Sequence, residues 1–586
     1  MEINYVDKIE NLPAARDEIL AAEVHGLDVE TTGFNERREK MILLQIATSP
    51  EKVHVFNTYK LNNPNDYGFV KDILGSDRIS CFQNGKFDLR FLRHFFGEPF
   101  QVEGMYDTMI ASQLLARGDK RLGRGLDDIA RRELGVELDK TLQRSDFGAT
   151  ELSPAQIEYA AKDAAILLPI RDAQKPKAIS YGLAKVFRLE GNAVAPIADV
   201  EYDGIYLDAE EWTGRCNRQD TRQEELRGQI CEMLAPGCQV IDLWGTPVIN
   251  LDSPGQVLDA LTNLGVNLPG SIAEDFLKLA IDDHEVVPLL IEYNELATAH
   301  KKFGLNYLDF IDVDGRIHPD FQQIEAPSGR MSCRKPNLQQ LPTEDIYRKV
   351  FKVQGLNRSM ITADYSQIEL RIMARQSGDP ILVKAYTDGV DIHSVTCHKV
   401  LGEPLENPNP VKRKIAKNLN FGAAYGAGPE GFAAKAGISV VTAEQTLKAF
   451  WNTYKVLGDY LRGQASMAAD QGRVYTMSGR CAVLHVNRED NKAYNAARRL
   501  GRNFGVQGTG ADILKTALYL FRRECINRHW DAKIVNIVHD EIVVDTGEDP
   551  TEVSKVLEVK MIEAGSSYLG EIPCEVSVSI AKTWSK

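Results

Sequence analysis

The sequence predicts a multidomain chain of α/β and α+β character, and three observations carry that reading. At 586 residues it is too long for a single hydrophobic core, and at roughly 100 to 200 residues per domain it divides into about three or four units. With 43% hydrophobic and 26% charged residues it is globular. After about residue 185 the composition changes little while the motifs that carry chemistry change completely.

Several classes are excluded at this level. The nine cysteines are scattered from Cys81 to Cys574 with no C-x-x-C pair, which argues against a disulfide framework and a zinc site and for a reducing, cytoplasmic compartment. The first twenty residues, MEINYVDKIENLPAARDEIL, carry acids where a secretion signal would be basic and then apolar. No apolar run approaches the about 18 residues of a membrane span. The net charge of −14 speaks against a nucleic-acid partner when taken alone. Locally, however, VKRKIAKN (Val411 to Asn418) and NKAYNAARRLGRN (Asn491 to Asn503) each hold four cations and no acid. Such runs are usually solvated helix faces, so they matter only beside chemistry.

In the first unit, LDVETTG places Asp28 and Glu30 at i and i+2 of a strand, so both carboxylates leave the same face. NGKFDLRFL supplies Asp88. SPAQIEYAAKDAAILL starts a helix at Ser153 and Pro154, and Tyr159 and Asp163, four apart, share one side of it. Each acid alone reads as an ordinary surface or capping residue. Together, four acids and a tyrosine from separated segments are what a two-metal nuclease needs, with cations about 3.5 to 4 Å apart held by carboxylates. This order resembles the proofreading 3′ to 5′ exonuclease family of RNase H-like fold, in its tyrosine variant. The resemblance implies that Asp28, Glu30, Asp88 and Asp163 bind two Mg²⁺ or Mn²⁺ ions and that Tyr159 orients the attacking water. Asp107 in YDTMIASQLL takes a structural role.

The second unit opens with a largely helical region from about Glu211 to Phe310, in which LDSPGQVLDALTNLG is capped by Ser253, started by Pro254 and stopped by Gly265. APSGRMSCRKPNLQQLP follows as a loop offering Arg330 and Gln339 to a polar partner. MITADYSQIELRIMARQSG turns from strand to helix, with Asp364 at the strand end and Glu369 in the helix. VKRKIAKNLNFGAAYGAG repeats Arg413, Lys417, Phe421 and Tyr425 every four residues, a face of two cations and two rings suited to a nucleotide, although core packing explains the rings equally well. In IVNIVHDEIVV, His539, Asp540 and Glu541 interrupt an apolar run; burying such carboxylates requires a turn facing water or a cation.

The series DYSQIELR, RKIAKNLNFGAAYG and VHDE resembles the DNA polymerase I family, family A, and with the exonuclease motifs it covers essentially the whole chain to AKTWSK. It implies an RNase H-like exonuclease domain over residues 1–188 and a right-hand polymerase domain over 189–586, with palm at 189–210, 311–376 and 491–586, thumb at 211–310 and fingers at 377–490. Asp364 and Asp540 would hold two Mg²⁺ ions, Mn²⁺ substituting, with Glu541 just outside that pair. Arg413 and Lys417, assisted by His393, would grip the triphosphate. Phe421 would stack on sugar and base, Tyr425 would hold the template slot, and Glu369, with Gln367 in the same nucleotide-binding set, would crowd the ribose 2′ position. Arg330, Gln339, Gln507 and His539, with Arg499 and Asn503, would contact DNA. Gly510, Gln340 and Asn294 stand where the family commonly has alanine, asparagine and arginine.

The implied activity is DNA-templated addition of deoxynucleotides to a primer 3′ end, with proofreading, by a monomer acting on primer-template DNA. Asp28 lies so near Met1 that no 5′ nuclease domain is expected ahead of it, and with a short thumb this suggests a phage-like enzyme. The alternatives are an exonuclease whose C-terminal half only clamps DNA, or a non-catalytic scaffold. The first would not need Asp364, Asp540, Lys417 and Phe421 together, and the second would be expected to lose a metal carboxylate.

Overall fold

The structure, a computed structural model, describes residues 1–142, 145–149, 151–244 and 248–585. Its N-terminal unit is a six-stranded mixed sheet of β1 (Glu2–Val6), β2 (Val24–Thr31), β3 (Met41–Ser49), β4 (Lys52–Asn57), β5 (Ile79–Phe82) and β6 (Met105–Asp107). The order is β1-β4-β3-β2-β5-β6; β2 runs antiparallel to β3 and parallel to β5. Alternation along the central strands feeds two cores. Leu44 and Ile46 join Val70 and Phe91 on one face, whereas Leu43 and Ala47 join Ala160 and Ala164 on the other.

The second face is covered by the helix Pro154–Ser180. Ser153 accepts from the Gln156 backbone while Gln156 reaches back, a complete capping box that fixes the start expected from sequence. A Cβ on Gly26 would lie 2.2 Å from the Ala164 carbonyl oxygen. Only glycine lets this helix lie so close to β2, and that closeness delivers Asp163 to the strand bearing Asp28.

The helix Ala184–Asp203 then runs without a break through the 188/189 division expected from sequence. It packs on β6 and on the helix Lys86–Phe96 of the first unit, and on the helix Asn491–Asn527 of the second. Beyond it, the helices Ala209–Leu234, Pro254–Asn263, Glu274–Leu279 and Val286–Phe303 build a separate core around Leu226, Leu261 and Leu290. Ser253 occupies the expected cap position before Pro254 but makes no side-chain capping bond.

The largest core surrounds a four-stranded antiparallel sheet in the order Ala532–Val538, Glu541–Thr546, Ser359–Tyr365, Val576–Ala581. Its register sets Asp364 opposite Glu541 and Ser577. The helices Ala184–Asp203 and Pro550–Leu569 pack on it, and the 37-residue helix Asn491–Asn527, capped by Asp490, packs in turn on both of these helices. No helix among the described residues is long and apolar enough to cross a membrane.

Candidate active sites

In the first unit, carboxylate oxygens of Asp28, Glu30 and Asp163 all lie within 4.8 Å of one another. The strand period aims Asp28 and Glu30 the same way, and the helix held over Gly26 supplies the third. Asp88 begins the helix Lys86–Phe96, is 2% exposed, and accepts from the Val29 backbone N–H at 3.1 Å. The four acids expected to act together thus resolve into a close triad and one neighbour anchored beside Asp28. That helix is set by Asp107, which accepts from Gly85 N–H at 2.7 Å and from Met109 and Ile110 N–H at 2.9 and 3.0 Å.

Electrostatics point to a cation. Burial, and then the neighbouring Asp28 and Asp163, push the Glu30 carboxyl up to about 9. Burial raises Asp163 to about 6, against a hydrogen bond from Tyr159 that favours its charged form. Asp28 is held far above the carboxylate range by burial and by Asp163, and Asp88 by burial and Asp28. Like charges so close cannot all ionise unaided, and a divalent ion is the usual compensation. A cleft of about 580 Å³ lined by Leu142, Glu158, Tyr159, Lys162 and Asp163 opens onto this cluster.

In the second unit, the run IVNIVHDEIVV is the hairpin Ala532–Val538/Glu541–Thr546, turned by His539 and Asp540 alone. His539 adopts φ +56, the left-handed region histidine tolerates better than most residues. The three ionisable residues therefore separate. His539 and Asp540 occupy the turn. Glu541, 1% exposed, instead accepts from Trp584 Nε1 at 2.7 Å and from buried Arg348 at 3.3 Å. Asp364 ends the neighbouring strand, and the Tyr365 N–H reaches the Asp540 carbonyl at 3.4 Å, so the two aspartates come from adjacent strand ends. Gln367 follows at φ +58, turning the chain into the helix Ile368–Ser377.

One cleft of about 590 Å³ gathers Arg330, Gln339, Gln367, Glu369, His393, Arg413, Lys417, Phe421, Gln507, His539 and Asp540. Arg330 is ion-paired with Glu369 across it. Burial pushes the Glu369 carboxyl up while Arg330 opposes the shift. His393 is pulled down to about 4 by burial, so it is neutral at pH 7, and Asn420 donates to its Nδ1 at 2.9 Å. Its ring lies 5.8 Å from that of Phe421.

Sequence reasoning overlooked some of this set. Asp391 caps the helix Ile392–Leu401 and holds Arg413 at 2.8 Å; its place two residues before His393 was the available signal. Asn420, next to Phe421 but on the buried side, gave none.

Three of the expected contact residues lie outside the lining of this cleft. Tyr425 does not line the cleft: the helix ends at Ala424, Tyr425 is its C-cap, and its ring packs on the main core. Steps of four residues drift about 40° each around a helix, so three steps from Arg413 carry Tyr425 well off the face that Arg413 begins. Arg499 and Asn503 also lie outside the cleft lining, two and one turns up the long helix from Gln507.

Fold and sites together define a chain with two separate carboxylate centres, one nuclease-like and one beside a cation-and-ring cleft. Residues 219–586 match the DNA polymerase family A model, and residues 3–178 match the 3′-5′ exonuclease model. The chain is similar to DNA polymerase I of Aquifex aeolicus, 32% identical with both chains covered completely. It is 29% identical to DNA polymerase I of Pseudomonas aeruginosa and 27% identical to that of Borreliella burgdorferi, in each case over 96% of this chain but only 64% and 62% of theirs. A solved structure described as the POL domain of Pol1 from M. smegmatis in complex with DNA primer-template and dNTP superposes with a TM-score of 0.80 over 99% of both chains at 24% identity, a likeness of fold. The chain belongs to the family A DNA polymerases and carries a 3′-5′ exonuclease domain. Domains of these kinds use divalent metals, for which the Asp28–Glu30–Asp163 cluster is a candidate site. The phage-like character suggested by the sequence has no support in these relatives.

Proposed function

We propose that this chain extends a primer on a DNA template at the 590 Å³ cleft and removes mispaired 3′ ends at the Asp28 centre. One observation carries the reading: the cleft unites the turn carboxylate Asp540 with the Arg413, Lys417 and Phe421 face. Phosphoryl transfer asks a protein chiefly for positioning and charge neutralisation, which these residue types offer. Mg²⁺, with Mn²⁺ as substitute, is the cation we assign, two per centre; Asp364 and Asp540 would hold it in the polymerase cleft, where it would activate the primer 3′ hydroxyl and neutralise the triphosphate.

The chain's own residues then divide the work. Arg413 and Lys417 receive the β and γ phosphates, Arg413 exchanging Asp391 for them, while neutral His393 donates a hydrogen bond from Nε2. Phe421 stacks on the sugar and base, and Gln367 orients the helix that presents Glu369. The Glu369–Arg330 pair fills the space a ribose 2′ hydroxyl would need, selecting deoxynucleotides. Gln507, Gln339, His539 and Arg330 face the minor-groove acceptors common to all base pairs. Arg499 and Asn503 touch the primer and template, and Tyr425 holds the template slot. Glu541 acts through its pairing with Arg348 and Trp584, fixing the hairpin that aims Asp540. At the exonuclease centre, Asp28, Glu30, Asp88 and Asp163 would hold the ions, and Tyr159 orients the attacking water. We further read residues 211–310 as thumb, 377–490 as fingers and the segments around the four-stranded sheet as palm, in a monomer of a reducing compartment.

The test is extension of a 5′-labelled primer with Mg²⁺, with and without the four deoxynucleotides, beside Asp540→Ala. Extension with nucleotides, shortening without them, and loss of extension alone in the variant are expected. Shortening under every condition would mean that the C-terminal half clamps DNA without copying it.

A further inference from the structure

Where the helix Ala184–Asp203 packs on the helix Asn491–Asn527 lies a buried quartet of charges that neither reaction uses. Glu190 on the helix Ala184–Asp203, Arg480 in the turn before the strand Cys481–Val483, and Asp512 and Lys515 on the helix Asn491–Asn527 are each at most 2% exposed. The Lys515 ammonium spends its three donors on Glu190 at 2.7 Å, the Gln323 carbonyl at 2.9 Å and the Gly329 carbonyl at 2.8 Å. Arg480 bridges Glu190 and Asp512 at 2.5 Å each. Two acids and two bases cancel.

Ion pairs this deep are weak sources of stability, because desolvation offsets their attraction. What they supply here is geometry. Gly329 immediately precedes Arg330, the residue that enters the polymerase cleft and pairs with Glu369. The turn that presents Arg330 is closed by the Gly329 N–H on the Ala326 carbonyl at 2.8 Å. Gly329 sits at φ +88, and a Cβ there would lie 2.4 Å from the Arg480 guanidinium carbon, so the turn rests directly on the quartet. At the other end, a Cβ on Gly191, next to Glu190, would lie 2.4 Å from the Met105 carbonyl oxygen of β6. The helix bearing Glu190 is thus packed hard on the exonuclease sheet.

We propose that Lys515 is a positioning residue for synthesis: by fixing the Gly329 carbonyl it aims Arg330 into the polymerase cleft, and Glu190 references that setting to the helix shared with the exonuclease domain. This rests on the reading of Arg330 as a contact of the polymerase cleft.

The test compares four full-length proteins: the parent, Lys515→Met with Glu190→Gln, Arg330→Ala, and the triple variant. The paired substitution removes one base and one acid, so Arg480 and Asp512 remain balanced and no lone charge is buried, yet the bond to Gly329 is gone. Each protein is read by thermal melting, by digestion of single-stranded DNA, and by kcat and KM for one correct nucleotide on a primer-template.

The paired variant is expected to melt and digest like the parent while kcat/KM for extension falls about tenfold, and to add little further loss in the Arg330→Ala background, because both changes remove the same interaction. Parent-like extension by the paired variant would overturn the proposal, as would losses that multiply in the triple variant. A paired variant that melts far below the parent and loses digestion as well would also overturn it, since the quartet would then be structural alone. Unchanged extension by Arg330→Ala would instead overturn the reading of Arg330 itself, which keeps the two failures distinct.

Discussion

Asp28, Glu30 and Asp163 oppose folding while ionised and unneutralised. Because burial raises the folded-state pKa values of all three, and repulsion from neighbouring carboxylates adds to it at Asp28 and Glu30, the folded chain takes up protons, and its stability falls as pH rises from the ordinary carboxyl range towards the Glu30 value of about 9. Replacing Asp28 and Glu30 together by alanine removes that penalty and the metal ligands at once. The expected outcome is loss of digestion of a mismatched 3′ end with extension intact, a melting temperature in chelator no lower than the parent's, and a smaller rise on adding Mg²⁺ than the parent shows, since only the polymerase centre still binds it. Retained digestion would sink the assignment of this centre. At Phe421, the resemblance to the family A pattern implies that a ring without a hydroxyl discriminates against dideoxynucleotides; Phe421→Tyr, which adds a hydrogen-bonding group where the sugar stacks, should relax it by about tenfold or more. Equal chain termination by both proteins would refute the stacking role. Residues of this kind were legible in the sequence because each lies in a short quoted stretch whose period states its direction: two apart on a strand, or four apart on a helix.

That legibility weakens with distance along an element. Arg413, Lys417 and Phe421 share the cleft, but Tyr425 is carried off the face by accumulated drift and by the helix end. Ser253 stands at its cap position without bonding through its side chain, since residue type predicts the place of a helix start better than the bond made there. Gly26 gave no signal at all; its meaning comes from a helix more than 120 residues further along the chain, the Ala164 carbonyl lying where its Cβ would be. Gly26→Ala must therefore push the helix Pro154–Ser180 outward or strain the strand, at a cost of about 1–3 kcal/mol typical of overpacking. Because Asp163 rides on that helix, exonuclease activity should fall more than tenfold, about the effect of a misplacement near 1 Å, while primer extension is unchanged. Wild-type digestion in a folded Gly26→Ala protein would show that the close approach is not needed to bring Asp163 to the triad.

At the scale of the molecule, the two units are joined by charges no local pattern could reveal, because the partners are far apart in the chain. Lys86 of the first unit meets Glu201 and Asp320 at 2.6 and 3.0 Å, and Asp199 ties Arg93 at 2.7 Å to Arg522 at 2.6 Å. Burial pushes the Asp199 carboxyl up, but Arg522 and Arg93 outweigh it and hold it below its ordinary 3.8. The stabilisation is therefore complete above about pH 4 and is lost as pH falls further. Neutralising Asp199 leaves Arg93 with Asp203 as its remaining carboxylate and nearly buried Arg522 with the Phe100 carbonyl, at the seam between the exonuclease helix Lys86–Phe96 and the long helix Asn491–Asn527. Removing one member of a buried charge set costs about 3–5 kcal/mol, and here the cost falls on the seam, not on either core. Asp199→Asn should accordingly split calorimetric unfolding at pH 7 into two transitions, with the exonuclease domain melting first. The parent should show the same separation only in stronger acid, once the pH has fallen through the lowered pKa of Asp199. A single transition lowered as a whole would mean that the shared helix Ala184–Asp203 couples the units without help from Asp199, and that the seam is held by its apolar packing.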